Sequence, residues 1–250
     1  MSARLPAAPA PDAVRVWRGF RAQAIDIPAF YERLSTVFVP ATVLMQIDAG
    51  LDGYIPTVIA GLPGKPEEVP DETAILFWDS QQTYGDGFKK LAVRTYTLTH
   101  GAVYTQSSGA GFPLPFAGEL QADQPYHLAA RQEDWMHGSV RHLIGARPVD
   151  VDPGRFRAQI GEVFVAAQAS ELCGAIACAG NNYVVYWELQ SNQPDGSAER
   201  FAALAERTAW SHTVASRPVT LDSGLWDDWS GMNIAPGDSL NLQFQRRWER

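Results

Sequence analysis

The chain has 250 residues, 46% of them hydrophobic and 19% charged, with a formal net charge of −8. That is enough apolar content for a packed core, and the 20 Lys and Arg are too few and too scattered for a nucleic-acid surface. No run of 18 apolar residues occurs, which argues against a membrane span, and the proline-interrupted opening lacks the apolar stretch of a secretory leader, so a cytoplasmic protein with a disordered tail over residues 1–13 is expected.

In chain order, Val14 to Ala22 reads as a strand. A helix follows from Pro28, with a kink or break expected at Pro40 because proline removes a helical donor. Tyr54 to Ala60 and Thr73 to Trp78 read as two strands around an exposed loop, Gly61 to Asp71. A helix near Gly87 to His100, an uncommitted segment from Thr105 to Gln124 and a strand from Tyr126 to Arg131 complete this half. The next half opens on a strand, Ser139 to Arg147, and a helix begun by Asp152-Pro153, with Phe156, Ile160, Val163, Phe164 and Ala167 at helical spacing. Cys173 to Ala179 and Tyr183 to Leu189 form a hairpin about Gly180-Asn181-Asn182. Ser197 caps a last helix that is expected to run past Ala209, so that His212 sits near its end. A long segment, Pro218 to Asp238, then precedes a closing strand with Leu240, Leu242 and Phe244 on one face. Cys173 and Cys178, five apart, should lie on opposite faces of a strand as structural thiols.

The two halves are related in sequence. Val14-Arg15-Val16-Trp17-Arg18-Gly19-Phe20-Arg21 returns at an offset of 126 as Val140-Arg141-His142-Leu143-Ile144-Gly145-Ala146-Arg147. The same offset pairs Asp26, Phe30 and Val37-Phe38-Val39 with Asp152, Phe156 and Val163-Phe164-Val165. A second block, Phe88 to Thr95 with Phe201 to Thr208, aligns at 113, which implies an insertion in the first half. Two copies of a β-α-β-β-α-β unit are expected, residues 14–134 and 139–250.

That order is the ferredoxin-like arrangement, a four-stranded sheet with both helices on one face. Its duplication makes the chain resemble the dimeric α/β-barrel superfamily in fused, two-repeat form, over about residues 14 to 250 and without a family-specific motif. The resemblance implies an α+β fold of two tandem repeats packed as a pseudo-dimeric barrel. It also implies cofactor-free monooxygenases, cyclases and isomerases, or haem proteins of the chlorite-dismutase and dye-decolourising-peroxidase kinds. The peroxidase Gly-x-x-Asp-Gly pattern is approached only by Thr83-Tyr84-Gly85-Asp86-Gly87, which lacks the first Gly at the right spacing. On the haem alternative, His212 or His142 would be the iron ligand.

Several residues could carry chemistry. His100 and Tyr96, four apart on one helix face, could form a proton-transfer pair; the competing reading makes His100 a C-terminal helix cap before Gly101. The 113 offset sets them against Thr213 and Ala209. His127 and Arg131, on one side of the last strand, could bind or polarise a carbonyl from the barrel interior, or be structural. Trp78-Asp79 aligns with Trp187-Glu188, as substrate-binding groups or as caps of the following helix. His137 and His142 fit no metal spacing, so no metal is expected. Phosphate-loop, dinucleotide and nucleophile-elbow motifs are all missing. The expected protein is a cofactor-independent cyclase, isomerase or monooxygenase acting on a small apolar, aromatic or polyketide-like molecule, as a monomer or homodimer. The alternatives are a haem enzyme and a non-catalytic ligand-binding or scaffold protein.

Overall fold

The computed structural model describes residues 13–47, 49–78, 80–129, 135, 138–168, 172–190, 196–222 and 233–245. They form a mixed α+β chain with two six-stranded sheets. In the first sheet, β1 (Val14–Gly19) and β2 (Leu51–Val58) flank β3 (Glu72–Trp78), both antiparallel to it, and β4 (Gly109–Gly111) pairs with the free edge of β1. The second sheet holds β7 (Val140–Ala146), β8 (Gly174–Ala179), β9 (Tyr183–Leu189) and β10 (Trp210–Ala215) in the equivalent order, β10-β7-β9-β8.

Each half then crosses to the other. After β4, β5 (Leu114–Pro115) and β6 (Pro125–His127) leave the first sheet, and β6 pairs antiparallel with β8. After β10, β11 (Arg217–Asp222) and β12 (Leu240–Gln245) join the first sheet, where β12 pairs with β2. This corrects the expected topology. The strands read as closing each half's own sheet belong to the opposite sheet, and the fourth places are taken by β4 and β10. β4 lay unread inside the Thr105 to Gln124 segment because Gly109-Ala110-Gly111 has neither alternation nor β-branched residues.

The sheets pack face to face, and the space between them is filled. Val14, Val16, Ile75 and Phe77 from one meet Val140, Ile144, Ile176, Val185 and Trp187 from the other in a single buried cluster. Cys178 is part of this cluster and Cys173 packs against it; both are free thiols. The expectation of opposite faces fails because β8 starts only at Gly174, so strand alternation does not extend back to Cys173.

Helices cover the outer faces. Over the first sheet lie α1 (Ile27–Arg33), capped by the Asp26 carboxylate on the Ala29 N–H, and α2 (Val39–Ile47), joined by a π-helical turn at Leu34–Phe38. Pro40 neither breaks nor ends this helix. In the turn before it, the Val39 N–H donates to the Leu34 carbonyl, five residues back, so the ladder is already shifted where proline withholds its donor. Further on come α3 (Gln81–Gly87), capped by the Ser80 hydroxyl, and α4 (Leu91–Thr99), ending in a 3-10 turn at His100–Ala102. The helix expected near Gly87 to His100 is α4, which starts at Leu91, and α3 before it was not expected from the sequence. Over the second sheet lie α5 (Pro153–Gln168) and α6 (Ser197–Glu206). α6 stops at Glu206, so His212 falls on strand β10 and not near a helix end.

Pairing registers align the halves structurally. Val14 faces Phe77 as Val140 faces Leu189, and Val16 faces Gly111 as His142 faces Val214. The offset therefore falls from 126 at the first strand to 112 at the third and 103 at the fourth. The last drop of nine residues places an added segment of the first half between β3 and β4, where the described residues hold two helices, α3 and α4, against one, α6, in the second half. Thr213 faces Leu143 as Ala110 faces Trp17, so it is not the counterpart of His100. By the same register Leu76 corresponds to Glu188 and Ile75 to Trp187, so Trp78-Asp79 is not the equivalent of Trp187-Glu188.

Candidate functional site

A cavity of about 300 Å³ lies on the outer face of the first sheet, under α2, α3 and α4. β1 contributes Arg15 and Trp17 and β3 contributes Leu76 and Trp78. They face outward because the alternate residues Val14, Val16, Ile75 and Phe77 are committed to the core between the sheets. Phe38, Thr42, Tyr84, Phe88, Tyr96 and His100 complete the wall from the helical side. The π-helical turn ends at Phe38, whose ring meets His100 edge-on at 4.8 Å and Tyr96 at 5.3 Å.

Tyr96, His100 and Trp78 thus come together on one cavity. His127 does not. It sits on β6, beside Ile176 of the second sheet, on the side facing the core between the sheets. That core is packed with side chains, so the interior site envisaged for His127 is not where the open volume lies. Arg131 and Asp79 fall outside the described residues, as does His137.

His100 closes the α4 helix. Its Nδ1–H donates to the Thr97 carbonyl at 3.0 Å, which leaves Nε2 as the nitrogen carrying the lone pair. Trp17, Phe38 and Tyr96 surround the ring edge-on at 4.8 to 5.2 Å. Burial holds its pKa below the ordinary histidine range, opposed by the helical carbonyls and aided by the charge of Arg15, so the imidazole is neutral at pH 7. His100 therefore caps the helix through Nδ1 while its side chain lines the cavity. The Tyr96 hydroxyl is hydrogen-bonded to that of Thr42. The Thr42 hydroxyl donates to the Phe38 carbonyl at 2.9 Å and so accepts from the Tyr96 hydroxyl, which turns the phenol toward α2.

Two residues were missed in the sequence. Arg15 lies with its guanidinium carbon 4.2 Å from the centre of the Tyr84 ring and 5.3 Å from that of Phe112, and donates from Nη2 to the Ala110 carbonyl at 3.2 Å. Its Nε has no partner, and among the described residues no carboxylate pairs with it. Burial lowers its pKa to about 10. Its retention as Arg141 in the repeat was the available signal. Glu72, fully buried at the start of β3, accepts from Trp17 Nε1 at 3.1 Å, from Tyr54 at 2.8 Å and from Tyr104. Burial raises its pKa against the pull of these three donors. It fixes two walls of the cavity, Trp17 and Tyr54, and nothing in the repeat marks it, since Val184 holds the matching place.

The haem ligands read from the sequence do not fit that role. His142 is completely buried between the sheets and stacked on Trp187 at 4.5 Å. Its Nδ1 donates to the Tyr186 carbonyl at 3.0 Å and its Nε2 accepts from the Thr73 hydroxyl at 2.9 Å, so neither nitrogen can reach iron. Desolvation depresses its pKa to about 3. His212 donates Nε2–H to the Gly237 carbonyl at 3.1 Å and lies outside the cavity. Among the described residues no group of three His, Cys, Asp or Glu could hold a metal ion, and no helix is long and apolar enough to cross a membrane.

No protein-family model matches the chain, and no curated protein does. Among solved structures it is similar to a candidate monooxygenase from Lactobacillus acidophilus, at 9% identity and TM-score 0.34 over 81% of this chain and 91% of that one. It is also similar to one from Fusobacterium nucleatum, at 9% identity and TM-score 0.34 over 81% and 89%, and to an anthrone oxidase-like protein, at 12% identity and TM-score 0.37 over 84% and 96%. Overlaps of this depth carry no argument about chemistry, which rests on the cavity itself.

Proposed function

We propose that the chain is a cofactor-independent enzyme that removes a proton from an activated carbon of a small aromatic or polyketide-like molecule, in the manner of a cyclase, isomerase or monooxygenase. In this reading the two halves, 14–134 and 139–250, are tandem ferredoxin-like repeats packed as a pseudo-dimeric barrel, with the site in the first. The observation that carries it is His100, with Nδ1 tied to the Thr97 carbonyl and a neutral ring in a cavity walled by Trp17, Phe38, Trp78 and Phe88. A base held in one tautomer and neutral at the working pH is what proton abstraction requires. In the step, the C–H bond breaks as the proton moves to Nε2, and the electron pair passes onto the conjugated carbonyl oxygen as an enolate. Trp78 supplies apolar wall, and Tyr96 holds α4 to α2 and positions His100.

The test is solvent exchange. In D2O, the C1 protons of 2-tetralone, acidic and adjacent to both ring and carbonyl, should exchange faster with the protein than in buffer alone by NMR. His100→Gln should remove about 10² or more of that acceleration, while Tyr96→Phe should change it far less. Full exchange in His100→Gln, or none in the wild type, overturns the reading.

A further inference from the structure

We propose that the first-half cavity binds planar aromatic ligands bearing an anionic oxygen, a carboxylate, phenolate or enolate, and that Arg15 is the residue that selects for that charge. This deepens the reading of the cavity as a small-molecule site and is independent of whether His100 acts as a base. Three observations lead to it. First, Arg15 is a mostly buried cation on the cavity wall without a carboxylate partner among the described residues, whereas buried guanidinium groups are ordinarily paired. Second, its matched residue in the second half is differently placed: Arg141 lies over the Phe201 ring at 4.4 Å, next to an interface whose buried carboxylate, Glu188, already has its cation in Arg200. Third, a second buried donor on the same wall, Trp78 Nε1, also has no acceptor. Arg15 faces Leu76 across the strands, and Trp78 lies two residues further along β3 on the same face, so the two side chains are diagonal neighbours. An acceptor oxygen brought in by a ligand would satisfy a charge and donors that the protein leaves unmet.

The walls set the rest of the ligand. Trp17, Phe38, Trp78, Tyr84 and Phe88 present rings to about 300 Å³, the lower end of the range for small-molecule sites, which suits a body of two or three fused rings.

The test compares 2-naphthoate with its neutral isostere 2-naphthamide by isothermal titration calorimetry at pH 7 and low salt. Wild-type protein should bind naphthoate about tenfold or more tighter than naphthamide. Arg15→Gln should bring that ratio to within about twofold while keeping naphthamide binding, which also shows that the variant folds. Arg141→Gln should leave the ratio as in wild type. Should Arg15→Gln not fold, Arg15→Lys, which keeps the charge and loses the planar fork, should fall between the two. Equal affinities in the wild type, a ratio preserved in Arg15→Gln, or binding of neither compound overturns the proposal. Naphthoate offers no acidic carbon, so failure here leaves the exchange experiment standing, and the reverse also holds.

Discussion

The two sheet-helix interfaces share a strand frame, yet one encloses a cavity and the other is solid. On the second sheet, Phe156, Phe164, Tyr186 and Phe201 fill the space beneath α5 and α6. Glu188 there accepts from Arg200 Nε at 3.0 Å and Nη2 at 2.5 Å and from the Tyr186 hydroxyl, closing its charge internally. On the first sheet, the places of Tyr186 and Glu188 are taken by Ala74 and Leu76, and α2, α3 and α4 roof the space left over. One change of volume, Tyr186 against Ala74, and one of charge, Glu188 against Leu76, on strands in the same register, separate a packed interface from one with a cavity. The two halves share a backbone frame, and side-chain size and ion pairing decide which interface is filled.

The largest expected break in this comparison is at the matched pair Val16 and His142. Because the folded pKa of His142 is depressed, its contribution to stability is complete above the unfolded value near 6.5 and is lost as pH falls toward about 3. His142→Val, which installs the first-half residue, should remove up to on the order of 5 kcal/mol of that acid sensitivity, read from urea unfolding at pH 7 and pH 3.5. Next in size, Arg200→Ala strands the buried Glu188 carboxylate and should cost about 3 to 5 kcal/mol by the same measurement.

Glu72 sharpens the comparison from the other side. Its folded pKa is raised, so its contribution to stability is complete at low pH and declines as pH rises above 4.5 through the folded value. The stability of wild type relative to Glu72→Gln should therefore fall between pH 4.5 and 8, and a flat difference would show that the three donors fully offset burial. The smallest stability effect is expected from Leu76→Phe, which adds bulk to an existing void. It should change unfolding free energy by under about 1 kcal/mol while weakening naphthoate binding at least tenfold, making the first interface resemble the second.

How far the sequence reached can be followed residue by residue. The repeat of Val14 to Arg21 as Val140 to Arg147 located matched first strands, because a strand with one face in a core keeps its apolar alternation through divergence. The hairpin Cys173 to Leu189 and the Asp152 cap, whose carboxylate accepts from the Arg155 N–H, were legible for local reasons, turn chemistry and capping. His100 and Tyr96 were legible as neighbours on one helix, but the commitment of Tyr96 to Thr42, 54 residues away, was not. Nor was the match of Leu76 with Glu188, since an alignment without gaps cannot know where added segments fall. Arg15 stood in the repeat in plain view, and only its place on a cavity wall, against the Phe201 ring beneath Arg141, sets the two apart.

By itself, the sequence pointed to two related halves and to where most helices and strands lie, because these follow from periodicity and local conformational preference. Tertiary structure alone decided that the closing strands exchange between sheets, that the space between the sheets is filled, and that the open volume lies outside them under α4. Those outcomes depend on strand partners and side-chain volumes contributed from distant parts of the chain, which no local pattern records.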